Sequence, residues 1–314
     1  MTNFALIGVA GYIAPKHMKA IFDIGGNLLA ALDKNDSVGI LDSYFTQTQF
    51  FTEFERFDRF IEKCQREKKS TIDYISICSP NYLHDSHIRF ALKNGTHAIC
   101  EKPLVLNPHN LIPLKKVERD TGKKIFCILQ LRLYPSIIQL KKDVDQALKL
   151  NPNKVFDIDL TYLTSRGPWY FTSWKGDVSK SGGITTNIGV HFFDMLIWIF
   201  GPVQNSEVHI LNKDTGAGFL QLKHANVKWF LSIKSDYLSK KSTFRSIVVD
   251  KKEIEFSKGF EDLHTKSYQE ILNGDGFGLD DVSESIELVS NIRNSPMIKD
   301  PEKRHSFCSK VDHD

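Results

Sequence analysis

The chain has 314 residues, 41% of them apolar and 25% charged, with a formal net charge of +3. That length allows two domains with separate cores, and the composition is that of an ordinary globular protein. Lysines are scattered rather than gathered in one arm, so nucleic-acid binding is not suggested, although mild basicity suits an anionic small substrate.

The chain opens on an apolar run, without the charged segment and apolar stretch of a signal peptide. No run approaches the roughly 18 apolar residues of a membrane span. A soluble, cytoplasmic protein with no membrane partner is therefore expected. Phe4–Val9 reads as a buried strand containing Gly8, and Lys16–Ile24 has helical periodicity. Leu28–Leu32 is a second strand that stops at Asp33. Phe54–Lys69 is an amphipathic helix with Phe57, Phe60, Ile61 and Cys64 on one face. Tyr74–Cys78 is a strand closed by Ser79-Pro80-Asn81, and His84–Asn94 a helix ended by Gly95. Ala98–Cys100 is a strand, Pro108–Thr121 a helix, and Ile125–Gln130 a further strand. This alternation predicts an α/β domain with a parallel sheet, over residues 1–130. Ligands bind such sheets beyond the carboxyl ends of the strands, here Gly8, Asp33, Ser79, Glu101 and Gln130. The five cysteines form no Cys-x-x-Cys pair, and Cys78, Cys100 and Cys127 lie in apolar runs. That argues for a reducing compartment and against a disulfide framework or a metal site.

After Gln130 the pattern changes. Phe156–Tyr162 alternates with period two, as do parts of 205–211, 217–223, 227–234 and 244–256. These predict a second, α+β domain over 131–295 with an open, mostly antiparallel sheet, one face of it solvated. A helix from about Thr185 to Phe200 interrupts it, and Asp280–Arg293 is a last helix. The tail 296–314 is polar and expected to be loosely ordered.

Several segments carry chemistry. Gly8-Val-Ala10-Gly11-Tyr12-Ile13 follows the first strand and opens a helix. Glycine there permits a tight turn and close approach to a pyrophosphate, which the helix N-terminus attracts. Asp33 lies 22 residues after Gly11, where a carboxylate can take a ribose diol and favour NAD over NADP. Asp33-Lys-Asn-Asp equally suits a solvated turn. Ser79 and Asn81 are cofactor candidates by position, since the same residues form turns. In Glu101-Lys102-Pro103 the proline holds Lys102 extended and aims its side chain. A cationic nicotinamide beside that ammonium favours release of its proton. Asn187 and His191, four apart, share a helix face, with Asp194 placed to orient the imidazole. Gly182, Gly183 and Gly189 suggest close approach to this backbone. The stretch Tyr162–Lys175 is dense in aromatic and cationic groups: Arg166 and Lys175 suit carboxylate or phosphate, and Trp174 and Tyr170 offer faces for a sugar or base. A lid or interface loop has the same composition. His264 and Tyr268 add two further polar groups.

Together, Gly8–Ala14, Glu101-Lys102-Pro103 and Gly183…Asn187-x-Gly189-x-His191-x-x-Asp194 resemble the Gfo/Idh/MocA oxidoreductase family over nearly the whole chain. Within it, Gly8–His17, Asp36–Phe45, Phe51–Asp58, Ser79–Asp85 and Gly274–Leu279 resemble the UDP-N-acetylglucosaminuronate 3-dehydrogenase branch. The resemblance implies an N-terminal Rossmann domain, a C-terminal sheet used for homo-oligomerisation as a dimer or tetramer, and NAD as cofactor. It implies hydride transfer at C3 of a UDP-sugar on a route to surface polysaccharide. It makes Lys102 and His191 the catalytic pair and Asp33 the ligand of the adenine-side ribose. The matched segments extend the cofactor candidates to Ala10, Tyr12, Ile13, His84, Glu101 and Gln130. The substrate candidates are Lys102, Arg166, Tyr170, Ser173, Trp174, Lys175, Asn187, His191 and Tyr268. Many family members carry Asp where this chain has Asn187, so the amide orients and His191 becomes the base. The alternatives are the same chemistry on UDP-N-acetylglucosamine or another sugar, and a non-catalytic NAD- or sugar-sensing protein on this fold.

Overall fold

A computed structural model of the chain describes residues 1–68, 70–238, 243–254 and 262–311. The chain forms two compact units, one of Met1–Gln130 with Glu261–Ser283, the other of Leu131–Phe260 with Glu284–Asp314. The linear division expected at 130 and 295 gives way to an interleaved one, because the chain returns to the first unit late in its course.

In the first unit β1 (Asn3–Ile7), α1 (Ala14–Asp23), β2 (Asn27–Leu32), β3 (Gln49–Phe51), α2 (Phe54–Glu67), β4 (Tyr74–Ile77), α3 (His84–Lys93), β5 (His97–Cys100), α4 (Leu111–Thr121) and β6 (Ile125–Cys127) follow one another. The six strands are parallel, in the order β3-β2-β1-β4-β5-β6. The strand order reverses at β1, which places a crevice at the carboxyl ends of β1 and β4. The strands read as short apolar runs because both faces are covered: Ala5, Leu6, Ile75, Ile77, Ala98 and Ile99 are wholly buried. Helices α2 and α3 meet through Phe57 and Phe90, whose rings lie 5.9 Å apart. β3 is not predicted from sequence: three residues are too few for a period, and pairing with Ala30–Leu32 of β2 makes it a strand.

The second unit starts with α5 (Pro135–Leu150), a helix that buries Ile137, Leu140 and Val144. It continues through β7 (Phe156–Thr164), α6 (Trp169–Thr172), α7 (Val178–Ser181), a π-helical turn at Thr185–Gly189 and α8 (Val190–Phe200). Then come β8 (Val203–Leu211), β9 (Thr215–Leu222), β10 (Ala225–Ser232), β11 (Thr243–Val249) and β12 (Lys252–Ile254). The sheet order is β12-β11-β7-β10-β9-β8, with β7 and β10 parallel and the other pairs antiparallel. On one face Phe193 of α8 meets Trp229 edge-on at 5.2 Å, and Phe192 meets Tyr162 at 4.8 Å. Val178–Phe200 is, among the described residues, one stretch long and apolar enough to cross a membrane, contrary to the sequence reading. Two thirds of its apolar window is buried within the fold, as in a core helix.

The chain then re-enters the first unit as α9 (Leu263–Asn273), whose Tyr268 and Ile271 join the core around Phe4 and Leu6. Phe277 O accepts the Cys127 N–H, so this return also covers the edge at β6. From there α10 (Leu279–Asn294) leads on, and α11 (Cys308–Val311) is the last element.

Two expectations fail at the tail. Segment 296–311 is ordered, and it covers part of the sheet face expected to be solvated. His305 stacks on Phe230 at 5.7 Å and makes a 3.0 Å hydrogen bond to Thr161. Phe307 and Cys308 pack with Leu163, Ile210 and Ala217. The apolar residues of this second face (Phe230, Leu163) supply the driving force, which charge content alone hides.

Candidate active site

The cofactor end of the first unit is built on the β1–α1 turn. Gly8 has φ +88°, and a side chain there would meet the backbone of Cys78 and Ser79 at 2.7 Å, so only glycine lets β1 and β4 end this close together. Gly11 N–H donates to Gly8 O at 3.0 Å, closing the turn. Asp33 accepts from Ala10 N at 3.0 Å and from Asn35 N at 2.9 Å, so one carboxylate fixes the turn and stands at the end of β2. Tyr12 is exposed and Ile13 is half-buried against the core. Ser79 holds His87 at 2.9 Å, Asn81 is buried, and Gln130 presents a buried side-chain oxygen with no partner among the described residues. A tight glycine turn and a helix N-terminus at the sheet's reversal point, an acid at the end of β2 and an unspent amide oxygen after β6 fit a dinucleotide.

Two residues expected to touch the cofactor serve the protein instead. The ring of His84 is buried between Pro103 O at 2.8 Å and Ser79 O at 2.9 Å. Burial pushes its proton affinity down, so the ring donates to one carbonyl at a time while tying the β4 and β5 ends together. Glu101 is also buried, and its oxygens accept from His17, His264 and the backbone N–H of Lys102. Tyr268, expected at the substrate, lies wholly buried in the first unit, bonded to Ser76 and His17.

In the second unit Asn187 sits in the π-helical turn and His191 in the first turn of α8. π turns recur at functional sites because the extra residue re-aims side chains. Asn187 Nδ2 donates to Tyr170 OH at 2.9 Å, which makes the buried Tyr170 a support for Asn187. The close approach expected at the glycines comes from the protein itself. A side chain at Gly189 would strike Leu231 and Phe193 at 2.8 Å, and one at Gly182 would strike Thr186. Asp194, expected to orient the imidazole, gives both oxygens to Arg132, with Nε and Nη2 each at 2.9 Å in a buried fork. Arg166 turns Nη1 onto Thr164 and Ser165 O, at 3.1 and 3.2 Å. Lys175 lies over the Trp174 ring at 4.4 Å, and Ser173 donates to Tyr170 O at 2.8 Å. Arg132 and His17 are the functional-looking residues absent from the sequence reading. The i,i+4 pair His264 and Tyr268 is the one signal that could have pointed to His17's cluster.

A parallel sheet with this glycine turn and strand-end acid defines a dinucleotide-binding protein of the Rossmann type. Residues 2–128 match the oxidoreductase family described as an NAD-binding Rossmann fold, and 149–252 match its C-terminal alpha/beta domain. The chain belongs to the Gfo/Idh/MocA oxidoreductase family. It is similar to the WlbA (WbpB) dehydrogenase of Thermus thermophilus, with 47% identity and a TM-score of 0.93, covering 98% of this chain and 100% of that one. That protein has been crystallised with NAD and UDP-GlcNAcA, and with NAD and alpha-ketoglutarate. The WlbA dehydrogenase of Bordetella pertussis shares the fold, with a TM-score of 0.76 at 19% identity over 95% of this chain and 98% of that one. Inositol 2-dehydrogenase of Rhizobium meliloti is 26% identical over 205 residues, 63% of this chain and 55% of that protein. The matches to curated relatives span 29% to 55% of those proteins' lengths.

Proposed function

We propose that this chain oxidises the C3 hydroxyl of UDP-N-acetylglucosaminuronic acid to the 3-keto nucleotide sugar, using NAD. The observation that carries the reading is the 47% identity, over essentially the whole chain, to a dehydrogenase crystallised with NAD and UDP-GlcNAcA. The cofactor, when bound, supplies the hydride acceptor. Gly8, Gly11 and the α1 N-terminus hold its pyrophosphate, and Asp33 its ribose. The Lys102 ammonium donates a hydrogen bond to O3, and His191 takes the hydroxyl proton as hydride leaves C3. Asn187, held by Tyr170, orients the ring. Arg166 and Lys175 take the uronate carboxylate or the diphosphate. Alpha-ketoglutarate in the same relative supports a second half-reaction. In it the reduced cofactor would supply hydride to the carbonyl carbon of a 2-oxo acid, His191 would return the proton, and a 2-hydroxy acid would leave.

The same reading places the protein in the cytoplasm, on a route to a diacetamido-uronic acid of surface polysaccharide. It also has the chain self-associate through parts of the C-terminal sheet that the tail leaves uncovered, which sedimentation tests. The deciding experiment compares NADH formation from UDP-N-acetylglucosaminuronate and UDP-N-acetylglucosamine, with Arg166→Ala and Lys175→Ala alongside. Turnover of the acid, with preference lost in the variants, is expected. Equal use of the alcohol points to the other sugar, and binding without NADH to a sensor.

A further inference from the structure

The first unit contains a buried polar cluster to which the reaction above assigns no part. Glu101 Oε1 accepts from His17 Nε2 and His264 Nε2, each at 3.0 Å, and Oε2 accepts from the Lys102 backbone N–H at 3.2 Å. A carboxylate only accepts, so both imidazoles carry a proton on Nε2. His17 Nδ1 is then an acceptor, and Tyr268 OH donates to it at 2.8 Å. The Tyr268 oxygen in turn accepts from Ser76 OH at 2.6 Å. A charged carboxylate with a proton on each Nε2 satisfies every one of these bonds.

Three converging groups of this type also suggest a metal. A closed metal site takes four protein donors, however, and the described residues bring three. Oε1 is moreover already shared between two N–H groups. The hydrogen-bonded arrangement needs no ion.

A carboxylate this deep is costly to bury unless its partners are complete, so the cluster calls for a function. Its open end is at Lys102: Oε2 holds the N–H of that residue, and His84 lies against the carbonyl of the next one. We infer that Glu101, His17, His264 and Tyr268 are positioning residues for Lys102, with α9 returning to the first unit to supply donors that keep Glu101 in one orientation. This rests on Lys102 acting as proposed above.

Burial opposes ionisation of Glu101, but the N–H groups of His17 and His264 outweigh it and hold the carboxyl well below its usual range. The other titratable groups around it are Tyr268 on α9, Cys78 and Cys100 at strand ends, His84 on α3 and the adjoining Lys102. Burial pushes the phenol and both thiols up and His84 down, so these four stay uncharged around neutral pH.

The test is the pH dependence of kcat/KM in the full-length enzyme. With His191 as base, the wild type should lose activity towards acid with the slope of one proton. In His264→Ala, Glu101 titrates upward into the same range and the slope should approach two protons, with about tenfold further loss near pH 5. His264→Gln, whose amide still donates, should return the slope to one. Tyr268→Phe, which removes a single hydroxyl, should steepen the limb less. A loss uniform in pH and unrelieved by glutamine indicates a packing role and overturns the inference, as does stoichiometric zinc in the purified protein. If the wild type turns over no UDP-sugar, the functional reading fails on its own. The cluster is then decided by nitrogen NMR of His17: an Nε2–H tautomer supports it, and an Nδ1–H tautomer or imidazolium overturns it.

Discussion

Asn187 and Tyr170 are joined by a 2.9 Å hydrogen bond from the side-chain amide to the phenol oxygen. The bond ties the π-helical turn to α6 and fixes which end of the amide faces away. Tyr170→Phe removes that constraint while keeping the ring. Losing one partner of a buried hydrogen bond costs about 1–3 kcal/mol, so kcat/KM for the sugar should fall about tenfold or more. Binding of NAD, measured by fluorescence titration, should stay unchanged.

Proton transfer by a placed side chain is worth roughly 10²–10⁴-fold. His191→Ala should therefore lower kcat by about that factor without weakening NAD. Steady-state kinetics showing near-normal turnover would remove His191 from the mechanism.

Asp33 both braces the glycine turn through Ala10 N and would repel a 2′-phosphate. Asp33→Ser should raise KM for NAD about tenfold. The ratio of kcat/KM for NADP over NAD should rise by a similar factor or more. An unchanged ratio would place the ribose elsewhere.

The Arg132–Asp194 fork is buried on both sides. Removing one partner strands a charge, so Arg132→Met or Asp194→Leu should cost about 3–5 kcal/mol in urea unfolding. The double replacement should cost much less than the sum, because no charge is left unpaired.

Burial pushes the His305 imidazole down to about 4, with Lys228 adding to the effect; His87 is pushed down likewise to about 4. The unfolded chain binds protons at these sites near pH 6.5 and the folded chain does not. Stability is therefore full above pH 6.5 and lost as pH falls towards 4, by up to about 3 kcal/mol for a single such group. His305→Asn should flatten part of that slope in thermal melts taken across the range. An unchanged slope would show that His305 does not titrate on unfolding.

Much of the parallel sheet was legible because a strand covered on both faces writes itself as an apolar run, as Tyr74–Cys78 and Ala98–Cys100 do. The glycine turn, Asp33 and the strand-end lysine were legible because position in such a sheet carries meaning. Helix α5 is not legible in the sequence, because its stripe of Ile137, Leu140 and Val144 is thin among charged neighbours. Spacing places Asp194 near His191, but it carries no trace of Arg132, 62 residues earlier in the chain, which bonds both carboxylate oxygens. The sequence resemblance places Tyr268 at the substrate and gives His264 no role. Their partners Ser76, His17 and Glu101 lie far away in sequence, and only the folded chain brings them together.

The late return of the chain through α9 has a consequence for how this protein could be recombined. A fragment ending at Gln130 would lack the segment whose Phe277 carbonyl caps β6 and whose His264 and Tyr268 complete the Glu101 cluster. The dinucleotide half is not a cassette that can be exchanged at a single junction. A chimaera that swaps it must cut and rejoin the gene at three places, after 130, before 261 and after 283, and a one-junction hybrid inherits half a scaffold.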